Sequence, residues 1–212
     1  MGGLSTLIEH GGFAAYLIFF AGAVLFVIGI ERVTTLFFRM SYNVKGSVET
    51  IRTLILNKQY TDALQICNMK PNAPELTVIK AGLTAVENGR EAMKSALGGA
   101  VLDISHKTEE RVGYLALIAN VATLLGLLGT ISGLIKTFAS IAGADPAEKA
   151  KMLGLGISEA MYATAAGLGV GITAMVIHSI CTAKGETLVS QAQDVGLKVI
   201  TWIEQSERAK KA

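Results

Sequence analysis

"ISEAMYATAAG", residues 157–167, decides how this chain is read. It opens a long apolar run, yet it carries a carboxylate, Glu159, and a hydroxyl, Thr164. Between Ala160 and Ala183 the only Asp, Glu, Lys, Arg or His is His178. Two further stretches, Gly11 to Ile30 and Val112 to Ile135, contain none at all. Each run reaches the roughly 20 residues that cross about 30 Å of hydrocarbon as a helix. The expected fold class is therefore an all-α integral membrane protein with three transmembrane helices. Composition agrees: of 212 residues, 51% are hydrophobic and 17% charged, against about 25% charged in a soluble domain.

Charge placement orients the spans. The segment from Ile30 to Arg111 holds eleven Lys or Arg, the tail after Ala183 holds five, and the stretch between the second and third spans holds three. Positive residues accumulate on the cytoplasmic side. The large loop and the tail are thus expected in the cytoplasm, with the N-terminus and the short loop outside. The expected organisation is an outside N-terminus and first span (1–38), a cytoplasmic helical domain (39–111), the second span (112–137), a short periplasmic loop (138–151), the third span (152–183) and a cytoplasmic tail (184–212). The first run lacks a basic leader, and Glu31-Arg32 follows it instead of a small-residue cleavage site, so it reads as a span and not a signal peptide. Cys67 and Cys181 would both lie in reducing surroundings, where no disulfide is expected.

Within the cytoplasmic segment, residues 44–58 and 60–70 read as short amphipathic helices burying Leu54, Ile55, Ala63, Leu64, Ile66 and Cys67. Pro71 and Pro74 break the chain, since proline lacks the amide proton. "PELTVIKAGLTAVENG" (74–89) gives another helix, ended by Asn88-Gly89. No proline occurs from Arg90 to Ser140. A helix running straight from the cytoplasmic domain into the second span is expected there, with Gly98-Gly99 as its bend. In the tail, Leu188, Ala192, Val195, Val199 and Trp202 recur at spacings of four and three. That stripe packs either within the chain or on a second copy.

The spans themselves carry polar and small stripes. Asn120, Thr123, Leu127, Thr130, Leu134 and Thr137 share one helix face, and Ala122, Gly126, Gly129 and Gly133 run beside it. In the third span Ala160, Thr164, Gly167, Gly171 and Ala174 form a small stripe, with His178 at its end. Small residues let helix backbones approach in lipid. Glu159 lies about 140° round the helix from Thr164, on a face with Ala163 and Ala166. Both faces can border one cavity, or Glu159 can sit at the outer interface. Threonines in membrane helices commonly bond their own backbone, whereas an intramembrane acid marks a functional site by default.

No phosphate-binding Gly-Lys-Ser/Thr loop, zinc-type ligand spacing or Ser/His/Asp arrangement is present. No enzyme activity, cofactor, metal or nucleic-acid partner is expected. Nor does a chain of Asp or Glu cross the membrane. If protons pass, this chain supplies walls and at most one carboxyl, and a partner supplies the central titratable group.

"LLGLLGTISGLIKTF" (124–138) and "GISEAMYATAAGLGVGITAMVIH" (156–178) resemble the last two spans of the ExbB/TolQ/MotA proton-channel proteins. The three-span layout, large cytoplasmic loop and tail extend the resemblance over nearly the whole chain, closer to ExbB or TolQ than to MotA, which usually has four spans. The resemblance implies a homopentameric helical bundle around a central pore, its membrane helices extended into long cytoplasmic ones. An ExbD- or TolR-like partner dimer occupies that pore with a proton-accepting aspartate, and the work passes to a TonB- or TolA-like protein in the bacterial inner membrane and periplasm. It also implies that Thr130 and Thr164 line the proton route, with Glu159 matching the family's third-span glutamate. Asn120, Thr123, Gly126, Gly133, Gly167 and Gly171 then line the pore or pack. The family often has proline where this chain has Thr173, so either the kink is absent or Gly167, Gly169 and Gly171 supply the flexibility. Two other outputs stand open: a gliding or flagellar stator driven by H⁺ or Na⁺, and a non-conducting membrane scaffold.

Overall fold

The computed structural model describes residues 12–143 and 145–208, and all regular structure among them is helical. The N-terminus expected outside, up to residue 11, and the last four residues lie beyond the described residues. The helices are α1 (Gly12–Thr34), prolonged by a π-helical turn (Thr35–Arg39), then α2 (Lys45–Leu56), α3 (Tyr60–Met69), α4 (Pro74–Ala85), α5 (Arg90–Glu109), α6 (Val112–Ile141) and α7 (Pro146–Arg208). The chain divides into two compact units. Unit 1 takes residues 1–31 and 111–179; unit 2 takes 32–110 and 180–212.

Unit 1 is built from α1, α6 and the first part of α7. Three helical stretches, which include these segments, are long and apolar enough to cross a membrane. Their outer faces are apolar and uncovered: Phe19 and Phe26 on α1, Leu124 and Ile131 on α6, and Ile172 and Val176 on α7 are all exposed. A water-soluble monomer rarely shows so much continuous apolar surface, whereas lipid or another apolar helix accepts it. α6 reaches Ile141 and α7 begins at Pro146. Proline at the first turn of α7 suits a position whose amide would have no helical partner.

Unit 2 has a conventional core. Met93, Leu97, Ala100 and Ile104 give α5 one apolar face at steps of four, three and four. That face joins Ile51 and Ile55 of α2, Ala63 and Cys67 of α3, Leu76, Ile79 and Leu83 of α4, and the tail of α7. Of the six residues expected to be buried on α2 and α3, Ile55, Ala63 and Cys67 are fully so, and Leu54, Leu64 and Ile66 pack against the core from its edge. Leu188, Ala192, Val195, Val199 and Trp202 are all buried within the chain. The tail stripe is thus satisfied internally and is not an open self-association surface. α4 lies close because Gly82 has no side chain: a Cβ there would sit 2.7 Å from Leu97 Cδ2. Burial pushes the Cys67 thiol up to about 11, as expected of a structural cysteine.

The straight helix from Arg90 through the second span is not formed. α5 ends at Glu109, Glu110 is extended (φ −48°, ψ 128°), and Arg111 is left-handed (φ 58°) before α6 starts. Gly98 and Gly99 instead sit inside an unbroken α5. Charge chemistry accompanies the break. Arg111 pairs with Glu31 at 2.9 Å in unit 1, while in unit 2 buried Arg32 reaches toward Glu110 at 3.9 Å and the Lys107 carbonyl at 3.4 Å.

Candidate functional site

The site lies in unit 1, on the seam between α6 and the membrane-length part of α7. Close approaches pair Gly171 with Ala119 and Thr123, Gly167 with Ala122 and Gly126, Ala163 with Gly129, Ala160 with Gly133, and Gly156 with Thr137. The numbers rise on one helix as they fall on the other, so the two run antiparallel. Glycine is required at the centre. A Cβ on Gly167 would lie 2.6 Å from the Ala122 carbonyl oxygen and 2.8 Å from Gly126 Cα. Gly126, Gly133, Gly167 and Gly171 are therefore packing positions in this helix pair.

That closeness has a polar consequence. Gly126 has no side chain, and a Cβ there would fall 3.2 Å from Thr164 Cα. Thr164 comes near enough to donate its hydroxyl across the seam to the Gly126 carbonyl, at 3.1 Å. Thr130, one turn along α6, donates to the same carbonyl at 3.2 Å. The two hydroxyl oxygens also bond each other. Three contacts share only two hydroxyl protons. At any moment one hydroxyl accepts from the other, and the donor can be either. The pair is a small reversible hydrogen-bond relay, half-buried among apolar neighbours.

The remaining expected residues lie elsewhere. Asn120 and Thr123 are exposed on α6, and Thr123 bonds the Ala119 carbonyl of its own helix at 2.9 Å. Thr137 is buried and bonds the Gly133 carbonyl. Glu159 is half-buried, and among the described residues no hydrogen bond or ion pair joins it to the threonines. Ala163 and Ala166, which share its face, line an apolar groove of about 430 Å³ with Tyr162 of α7 and Phe19 and Phe26 of α1. Thr173 stands in continuous α-helix and bonds the Gly169 carbonyl at 2.8 Å, so the helix is unbroken where the family often has proline. Among the described residues no cluster of His, Cys, Asp or Glu has metal-binding form.

The shared acceptor, the Gly126 carbonyl, is not legible in the sequence, because backbone oxygens leave no trace in a pattern of side chains. The pairing of Glu31 with Arg111 and of Arg32 with Glu110 is a further feature outside the expectations from sequence. The signal was present: Glu31-Arg32 directly follows one apolar run and Glu110-Arg111 directly precedes another.

Comparison with known proteins agrees with this architecture. Residues 70–194 match the model of the MotA/TolQ/ExbB proton channel family. The chain is 33% identical over 111 residues to the Tol-Pal system protein TolQ of Haemophilus influenzae, covering 52% of this chain and 43% of that protein. It is 30% identical over 99 residues to the biopolymer transport protein exbB1 of Vibrio cholerae, covering 47% and 43%. Its matches thus span less than half the length of these relatives. In fold it is similar to the solved structure of C. jejuni MotAB, with a TM-score of 0.64 at 16% identity, covering 93% of this chain and 80% of that one. The family match extends over more than half of the chain and includes both helices of the seam, and the chain belongs to the MotA/TolQ/ExbB proton channel family.

Proposed function

We propose that this chain is the wall-forming subunit of an ExbB/TolQ-type proton motor in a bacterial inner membrane, with its N-terminus outside and its tail in the cytoplasm. Five copies surround a single-span partner dimer of ExbD or TolR type. A membrane aspartate on the partner takes up protons, and the Thr130–Thr164 pair hydrogen-bonds that carboxyl or the water beside it. The work passes to a TonB- or TolA-like protein. The observation that carries the reading is the hydroxyl pair on the Gly126 carbonyl. It is a reorientable polar group in an apolar helix pair, where a polar side chain has a cost and marks an ion path. The driving force suffices: one charge crossing 100 mV releases about 2.3 kcal/mol. Glu159, shallower on α7, attracts cations toward that path or bonds a neighbouring copy.

The likeness of fold to MotAB favours one alternative output, a motility stator. Co-expression with a single-span, aspartate-bearing partner tests the assembly. Native mass spectrometry should find five copies with two partner chains, and a chain that never retains such a partner overturns the proposal. Deleting the gene then separates the outputs. Impaired outer-membrane uptake or integrity supports the ExbB/TolQ reading, and lost motility supports the stator.

A further inference from the structure

A second cavity, in unit 2, is unlike the apolar groove. It holds about 310 Å³ and is lined by Arg32 from the last turn of α1, by Thr35 and Arg39 from the π-helical turn that prolongs it, by Lys107 from the last turn of α5 and Glu110 just after it, and by the turn leading into α4. Three cations face one carboxylate. Glu110 is already approached by Arg32, which is 3% exposed and also donates to the Lys107 carbonyl. Arg39 and Lys107 are exposed, and among the described residues neither side chain forms an ion pair. Their charges add to that of Arg32 at the cavity, against the single lining carboxylate of Glu110. Asn72, from the turn, adds a neutral hydrogen-bonding group.

Position in the chain narrows the anion. Arg32, Thr35 and Arg39 follow directly on the apolar run that ends at Ile30, and Lys107 and Glu110 stand just before the run that starts at Val112. Where α1 and α6 cross a bilayer, both groups fall at the level of the lipid headgroups. Phe37 and Phe38, between the two arginines, are exposed, as suits aromatic rings at that interface. Basic pockets at this depth take lipid phosphates.

We propose that this cavity binds the phosphate of an anionic phospholipid headgroup, with Arg39 and Lys107 as its direct charge partners and Arg32 as the buried cation behind them. The site is independent of the hydroxyl pair in unit 1 and of the motor reading.

The test uses the full-length protein, purified in detergent and offered dioleoyl phosphatidylglycerol or dioleoyl phosphatidylcholine, with retained lipid counted by mass spectrometry. Phosphatidylglycerol is expected to be retained in preference, and retention should weaken as salt is raised. The double variant Arg39→Gln/Lys107→Gln is expected to lose retained phosphatidylglycerol about tenfold. Arg52→Gln, at an exposed pair with Glu49 on α2, should bind as the parent does. Both cavity side chains are exposed, so the double variant should keep its melting temperature, which is measured alongside. Equal retention of the two lipids, or unchanged phosphatidylglycerol in a folded double variant, overturns the proposal. Displacement of phosphatidylglycerol by an equal concentration of inorganic phosphate also overturns it, because the site would then be one for a free anion.

Discussion

Gly167 and Gly169 lie two positions apart on α7 and should respond in opposite directions to one added methyl. At Gly167 the methyl meets the Ala122 oxygen and Gly126 Cα, backbone atoms that cannot rotate away. The helices must part, at about 1–3 kcal/mol for overpacking, and the Thr164–Gly126 bond goes with them. At Gly169 nothing lies within 4 Å, and alanine should gain up to about 1 kcal/mol of helix propensity. Thermal unfolding in detergent reads the difference: Gly167→Ala melts lower and Gly169→Ala the same or higher. Equal shifts would contradict the seam. A second residue, Glu75 of α4, is 8% exposed. Burial raises its pKa, against the opposing pull of a backbone hydrogen bond and of Lys184. The folded state thus holds its proton at higher pH than the unfolded chain does. Stability should fall as pH rises from the ordinary glutamate value, about 4.3, through the raised one. Glu75→Gln should remove that slope and be the more stable protein at pH 7, as denaturant titrations at several pH values would show.

Among the elements, α5 and α7 separate what the sequence discloses from what it hides. Gly98 and Gly99 are exposed inside α5 with open space where a Cβ would go. Gly98→Ala and Gly99→Ala should each stabilise unit 2 by about 0.5–1 kcal/mol, and a loss of stability would mean that the pair flexes after all. Trp202→Ala should cost about 3–5 kcal/mol, since that ring closes the core from the end of α7. The α4 boundaries were readable because proline and an Asn-Gly pair impose backbone geometry of their own: Pro74 opens the helix and Gly89, at φ 95°, ends the turn after it. The α5–α6 break was not, because it falls on Arg111, a residue with no intrinsic preference for the left-handed region. There the ion pair with Glu31, 80 residues distant, accompanies the conformation, and no local pattern contains it. The tail stripe showed its period plainly but not its partner, since the same spacing serves an internal core and a coiled coil equally well. The candidate site divides likewise. Thr130 and Thr164 were legible as hydroxyls on small-residue faces. Their meeting on one carbonyl depends on the antiparallel register, which is a tertiary fact.

At the scale of the whole molecule, an apolar unit that carries the Thr130–Thr164 pair is joined to a charged unit with a packed core. The proposed function makes the first a channel wall and places Thr130 and Thr164 at the ion path. Thr173 offers an internal control: it is also a threonine on α7, but among the described residues its hydroxyl bonds the Gly169 carbonyl of its own helix and no residue of α6. A hydrogen bond to a charged group is worth about 1.5–3 kcal/mol, or roughly 10–100-fold in rate if it acts in the transition state. The decisive measurement is proton uptake under an imposed membrane potential by proteoliposomes holding the chain with its single-span partner. Uptake should fall by about that factor in Thr164→Val, persist in Thr164→Ser, which keeps the hydroxyl, and be unchanged in Thr173→Val. Undiminished uptake by an intact Thr164→Val complex, or an equal loss in Thr173→Val, would contradict the account.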